Sequence, residues 1–191
     1  MARLRLAERT ARLRLTEEMS RLCYRVRQFL SKLGRQNRVE GQVLEADLST
    51  AQIALFRSML MSEQRHALDM LRVLQQQGHS DHVLAQAALL HDVGKTCGRV
   101  RLWHRVAKVL VQAIYPALLC RLAKDDPDDW RYPFYVLLHH ARLGADRAAG
   151  VGTDPLAVAL IYWHHTAPEH SGLDSRERTL LTLLRSVDER T

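Results

Sequence analysis

The chain is poor in cysteine. Of its 191 residues only Cys23, Cys97 and Cys120 are cysteines, an odd number with no CxxC pair. That argues against a disulfide framework or a zinc knuckle; separate thiols, Cys97 included, suit reduced structural residues in a cytoplasmic protein. Glycine and proline are also sparse, at nine and five residues, which excludes a collagen-like or low-complexity chain. No uninterrupted apolar run reaches the roughly 18–20 residues of a membrane span, and the first residues lack the apolar stretch of a secretory signal. No segment alternates apolar and polar residues over a strand's length, so the expected class is all-α.

What is present is the composition of one folded domain: 47% hydrophobic and 26% charged residues. The net charge of +7 is unevenly placed. Residues 1–40 hold eleven Lys/Arg against four Asp/Glu, and the remainder holds seventeen of each. The body of the chain therefore gives no reason to expect specific DNA binding.

Residues 1–18 contain the near-repeat Ala2–Thr10 and Ala11–Glu18 and read as a basic N-terminal arm. Residues 19–60 read as N-terminal helices. One carries Leu22, Val26, Phe29, Leu30 and Leu33 and stops at Gly34; another runs from Thr50 to Leu60 with Ser49 or Thr50 as cap. Further helices are expected over Glu63–Gln77, Val83–Leu90, Tyr132–Gly150, Leu156–His165 and from Ser175 to the end. Gly78, Asp81, Asp154 and Pro155 act as their punctuation. Residues 101–123 are nearly all apolar and interrupted by Pro116, and read as a buried or dimer-forming helix. Trp103 and Tyr115 are expected to pack within it. The acidic Lys124–Asp129 stretch reads as a turn, because calcium-loop spacing is missing.

The chemistry concentrates in Leu89-Leu90-His91-Asp92-Val93-Gly94-Lys95, where an apolar helix ends in an imidazole, a carboxylate, a glycine and an amine. Adjacent residues on a helix point about 100° apart, so His91 and Asp92 can meet an ion from different sides. Gly94 is expected to end the helix in the left-handed conformation, with Lys95 placed to reach an anion. Other candidate ligands sit near predicted helix ends or one turn inside them: His66, His140, His164, His165 and Asp188.

The order His66, His91-Asp92, His140, His164-His165, Asp188 resembles the HD superfamily of metal-dependent phosphohydrolases in its seven-ligand, two-metal form. The resemblance covers about residues 60–190 and is carried by Gln64-Arg65-His66, Leu89–Lys95, His140-Ala141-Arg142-Leu143-Gly144-Ala145 and Trp163-His164-His165. The third motif selects His140 over His139, which is left to a supporting or core position. The resemblance implies a compact HD-domain helical bundle over 61–191, with the extra N-terminal helices packed on it. It implies two divalent ions, iron or manganese, or else zinc. His66, His91, Asp92 and Asp188 would hold one ion, and His140, His164 and His165 the other, with Asp92 bridging. The implied activity is hydrolysis of a nucleotide phosphodiester or polyphosphate by a hydroxide shared between the ions. Asp92 and Lys95 would be the catalytic residues, with Lys95 the phosphate contact and Arg142 and Arg147 further substrate contacts.

The residues after His165 lack the Gly-Tyr-Pro of the HD-GYP cyclic-diguanylate phosphodiesterases, which disfavours that subclass. The compact size and the His-Thr after the second-site histidine resemble the diadenosine tetraphosphate hydrolases of the superfamily. Two other readings compete: a di-iron oxygenase of the same scaffold, against which the His164-His165 pair argues, and a non-catalytic signalling module, against which the full ligand set argues.

Overall fold

The computed structural model describes residues 41–191, all of them helix, turn or loop; the basic arm, the expected helix around Val26 and Cys23 lie outside the described residues. The described residues belong to one compact unit. Among the described residues there is no strand. The helices are α1 (Gly41–Asp47), α2 (Thr50–Arg57), α3 (Met61–Gln76), α4 (His82–Leu90), α5 (Leu102–Ile114), α6 (Pro116–Leu122), α7 (Tyr132–Gly150), α8 (Pro155–Trp163) and α9 (Ser175–Asp188). Short 3-10 turns at Val93–Cys97 and Pro168–His170 complete the order.

Helix starts follow local capping chemistry. Ser49 accepts from the Gln52 amide while Gln52 accepts from the Ser49 amide, a reciprocal box that opens α2. Asp81 opens α4 by accepting from Val83 and Leu84, and Asp154 opens α8 by accepting from Leu156. At α9, Asp174 accepts from Arg176 and Glu177 while Glu177 reaches back to the Asp174 amide. α2 stops at Arg57, short of the expected Leu60, because the Ser58 hydroxyl and the Ser58 amide both turn back onto Leu55 O. After α3, Gly78 takes φ +83°, which lets the His79 amide return to Leu74 O.

α4 is the central rod. Every residue from Leu84 to Leu90 is buried, so it must be enclosed on all sides. It packs against α3 on one flank and α8 on another, with α9 closing over α3 and α4. The same core takes in Leu44, Leu48, Leu55, Phe56 and Met59, so packing is continuous across residue 60. Each such Leu or Phe removed from water contributes about 1.5–3 kcal/mol before conformational entropy is counted. Buried amides tie the layers at the edges: Gln52 donates to Thr153, and Gln86 accepts from the Asp154 amide.

Residues 101–123 differ from the expectation of a buried helix. The chain breaks at Tyr115 into α5 and α6, and on α5 only His104 is buried. Val109, Leu110, Ile114 and Tyr115 face solvent, and Trp103 is 49% exposed, stacked on His104. The physical reason is that the polar side of α5, with His104, Arg105 and Lys108, is the side turned toward the rest of the domain. The Lys124–Asp129 turn is closed by ion pairs from Lys124 to Asp126 and Asp129.

Candidate metal centre

Seven polar side chains from five elements converge at one end of the α4 rod. His66 projects from the second turn of α3, and His91 sits at the C-cap of α4. Asp92 follows with φ −95° and ψ 0°, which turns its carboxylate away from the helix axis and starts the 3-10 turn. His140 comes from the middle of α7, His164 from the C-cap of α8 with His165 beside it, and Asp188 ends α9.

Gly94 sets the distance between the 3-10 turn and α7, for a reason other than the expected left-handed backbone. Among the described residues the positive-φ ones are Gly78, Gly152 and Gly172, and Gly94 is not one of them. A Cβ on Gly94 would lie 1.9 Å from His140 O and 2.5 Å from Gly144 N. The two backbones touch through paired glycines, and that contact brings Asp92 alongside His140.

The candidate ligand atoms fall into two groups, His66 with His91 and Asp92, and His140 with His164 and His165; within each group the atoms lie inside 4.8 Å of one another. Asp92 faces both. Its Oδ2 is 3.6 Å from His91 Nε2, and its Oδ1 is 3.5 Å from His140 Nε2. Asp188 Oδ1 stands 2.9 Å from His66 Nε2 and 3.7 Å from His91 Nε2. His165 Nε2 is 2.8 Å from His140 Nε2. Donors held about 2.1 Å from one ion at angles of about 90–109° are roughly 3.0–3.4 Å apart, and the spacings here, from 2.8 to 3.7 Å, straddle that range.

Ring orientation gives a sharper test. His91, His140 and His164 each place Nδ1 on the carbonyl oxygen three residues earlier: Ala88 at 2.9 Å, Leu137 at 3.1 Å and Ile161 at 2.6 Å. A carbonyl can only accept, so Nδ1 carries a proton, and in the neutral ring Nε2 is the nitrogen that keeps its lone pair. Those lone pairs point inward. His91 Nε2 and His164 Nε2 are buried and hydrogen-bond to nothing in the described residues. An unsatisfied buried polar atom costs about 1–3 kcal/mol, and a metal ion is the partner that a fixed neutral imidazole nitrogen suits.

Protonation states agree with this donor set. Burial holds His140 well below the ordinary imidazole range, Lys95 pushes the same way, and Asp92 opposes them. His164 falls to about 3, chiefly by burial and then through its neighbours His165 and His91. His165 falls to about 4, again first by desolvation, with Lys95 and Lys108 adding to it. Asp92 is nearly inaccessible, which alone would raise it, yet Lys95 Nζ at 2.5 Å with His91 and His140 holds it well below the usual carboxylate range. Asp188 is likewise held down, against its burial, by the His66 hydrogen bond. At neutral pH His140, His164 and His165 are thus neutral and Asp92 and Asp188 ionised, a mixture suited to iron, manganese or zinc.

The expected substrate contacts separate. Lys95 lies at the pocket, half-buried and paired with Asp92. Arg147 reaches the 3-10 turn and donates to the Thr96 hydroxyl, which itself donates to Val93 O, so it braces the turn that carries Lys95. Arg142 is exposed on the far side of α7 from His140 and donates to the Tyr135 hydroxyl at 2.6 Å. His139 shares that outer side, against the Tyr135 ring, and takes neither a core nor a supporting place at the site.

One residue escaped the sequence reading. Lys108 on α5 is within electrostatic reach of Asp92, Lys95 and His165, and burial beside Lys95 lowers its basicity. A lysine on the polar side of an otherwise apolar helix was the available signal. Next to Lys95 opens a cleft of about 290 Å³ whose walls include Arg99, Arg101 and Arg105. A larger one, about 580 Å³, lies between Trp103 and Trp130 and contains none of the seven candidate ligands. Compared with protein-family models, curated proteins and solved structures, the chain matches none.

Proposed function

We propose that the chain is a metal-dependent phosphohydrolase of the HD superfamily it resembles, acting on a nucleotide phosphodiester or polyphosphate. The observation that carries this reading is the pair of buried Nε2 atoms, of His91 in one histidine group and His164 in the other, that lack a hydrogen bond among the described residues, with Asp92 facing both groups. Two divalent ions bound there would supply an activated water and neutralise charge on phosphorus.

The remaining roles belong to the chain. The carbonyls of Ala88, Leu137 and Ile161 hold three imidazoles in one tautomer and one direction. Asp92 presents one oxygen to each histidine group and sets their spacing. Lys95 is the cation best placed for a non-bridging phosphate oxygen, with Lys108 behind it. The cleft next to Lys95 is lined by Arg99 and Arg101 as well as by the Arg105–Glu63 ion pair, and the two arginines extend positive charge away from Lys95, which favours a substrate with more than one phosphate.

The test is elemental analysis of the purified protein, followed by assay of the metal-loaded form on cyclic dinucleotides, dinucleoside polyphosphates and nucleotides. Metal retention with phosphate release, both lost in Asp92→Ala, is the expected result. A metal-free pocket that stays inert after loading would point to the non-catalytic module. Oxygen uptake by reduced, iron-loaded protein without hydrolysis would favour the oxygenase.

A further inference from the structure

The larger cleft, about 580 Å³, has the size of a small-molecule site. Three stretches build it: the extended chain around Arg99 and Arg101, the first turn of α5 with Trp103 and His104, and residues 127–130 ahead of α7. Trp103 is held in place before any ligand arrives. Its indole stacks on the His104 ring at 3.6 Å between centroids, and His104 is itself buried, with Nδ1 accepting from the Arg101 amide at 2.9 Å. No second ring stacks on Trp103 among the described residues, and it remains half-exposed. Trp130 is 64% exposed, and its ring contact is with Phe134 at 90°, the same Phe134 that stands across Trp103. Two indoles that are braced but uncovered form a stacking surface, and every nucleobase has a π face to lay on one.

The charges of the cleft sort by position. Thr96, Gly98, Arg99 and Arg101 wall both this cleft and the one beside Lys95, whereas Trp103, Asp128 and Trp130 wall the larger one alone. Positive charge thus belongs to the shared walls, and the aromatic faces belong to the larger cleft with its carboxylates. Asp129 is taken up by Lys124 and Arg131, while exposed Asp128 pairs with no cation among the described residues and is left as an acceptor. His104, with Nδ1 occupied, carries its proton on Nε2 in the neutral ring, and that N–H makes no hydrogen bond among the described residues. An acceptor and a donor beside a stacking surface match the polar edge of a base; an acyl chain would leave both unmatched. Arginines between that surface and Lys95 match the phosphates attached to a base.

We infer that the cleft between Trp103 and Trp130 takes the base of a nucleotide, with its phosphates running past Arg99 and Arg101 toward Lys95. The place of the phosphates rests on the proposed hydrolysis; the base site needs neither metal nor turnover, so binding tests it. The full chain is titrated with AMP, GMP and ribose 5-phosphate, the last carrying sugar and phosphate without a base, and affinities are read by calorimetry. The nucleotides should bind about tenfold tighter than ribose 5-phosphate or better, and should quench tryptophan emission. Trp103→Leu and Trp130→Leu, each checked for unchanged melting, should remove most of that advantage. Trp130→Phe, which puts a ring back, should keep most of it.

Equal affinity for nucleotides and ribose 5-phosphate, or no binding of either, would overturn the inference and leave phosphate release by the metal-loaded protein to be judged on its own. An advantage undiminished in both leucine variants would place the base elsewhere and overturn it too, and a loss in Trp130→Phe as large as in Trp130→Leu would deny stacking. Conversely, a base preference lost in the leucine variants of a chain that hydrolyses no nucleotide would uphold the base site while the hydrolase reading fell.

Discussion

Gly94→Ala probes the link between fold and site. The new methyl carbon would stand 1.9 Å from His140 O and 2.5 Å from Gly144 N, where ordinary contact begins near 3.4 Å. Both obstacles are backbone, so no side chain can swing aside; the 3-10 turn and α7 must separate by about 1.5 Å. Overpacking in a close-packed interior costs about 1–3 kcal/mol, and two backbone clashes put this one near about 3 kcal/mol. In a domain of this size that lowers the melting temperature by about 6–12 °C. The same separation pulls Asp92 away from His140, now 3.5 Å apart, so bound metal should fall as well. Thermal unfolding and elemental analysis read the two effects. Gly150→Ala is the control: a Cβ there meets nothing within 4 Å, so its melting should hold or rise slightly. If Gly94→Ala melted within about 2 °C of the parent and kept its metal, the argument that this contact sets the site would fail.

Three further outcomes are expected. His140→Ala should lose bound metal while His139→Ala, on the outer side of α7, retains it; equal losses by elemental analysis would contradict the assignment. In the metal-free protein, His140 and His164 have folded pKa values below the unfolded value of about 6.5. The unfolded chain therefore binds more protons as pH drops from about 6.5 toward about 3, and stability should decline through that window and be level above it. Urea midpoints at pH 7.5 and pH 5 test this, and equal midpoints would count against buried neutral imidazoles. Lys95→Ala should lower kcat/KM about 10–100-fold on a phosphorylated substrate, with Lys108→Ala giving a smaller loss in the same direction. Activity in Lys95→Ala equal to the parent's would remove lysine from phosphate binding.

Helix positions were readable in advance because their causes are local. Ser49, Asp81, Asp154 and Asp174 satisfy amides two or three residues ahead, and Gly78 permits the backbone that ends α3. The candidate ligands could be picked out by residue type and order alone. Arg142 could not be sorted from Arg147 in that way, since both lie on α7 and only the packing of that helix decides which one meets the 3-10 turn. Gly94 was noticed for the wrong property: a sequence announces a glycine, and only a neighbour at 1.9 Å says that space, rather than φ, is what it provides.

The sequence by itself determined that the chain is helical, where most of its helices begin, and which histidines and aspartates are available to a metal. Tertiary structure alone decided that three imidazoles fix Nδ1 on a backbone carbonyl, that Nε2 of His91 and of His164 is left without a hydrogen bond among the described residues, that Asp92 faces both groups, and that Lys108 joins them. It also decided which way α5 points. Periodicity records which residues share a face and carries no information about what that face meets. For α5 the polar side was claimed by the pocket, and the apolar side was left outward.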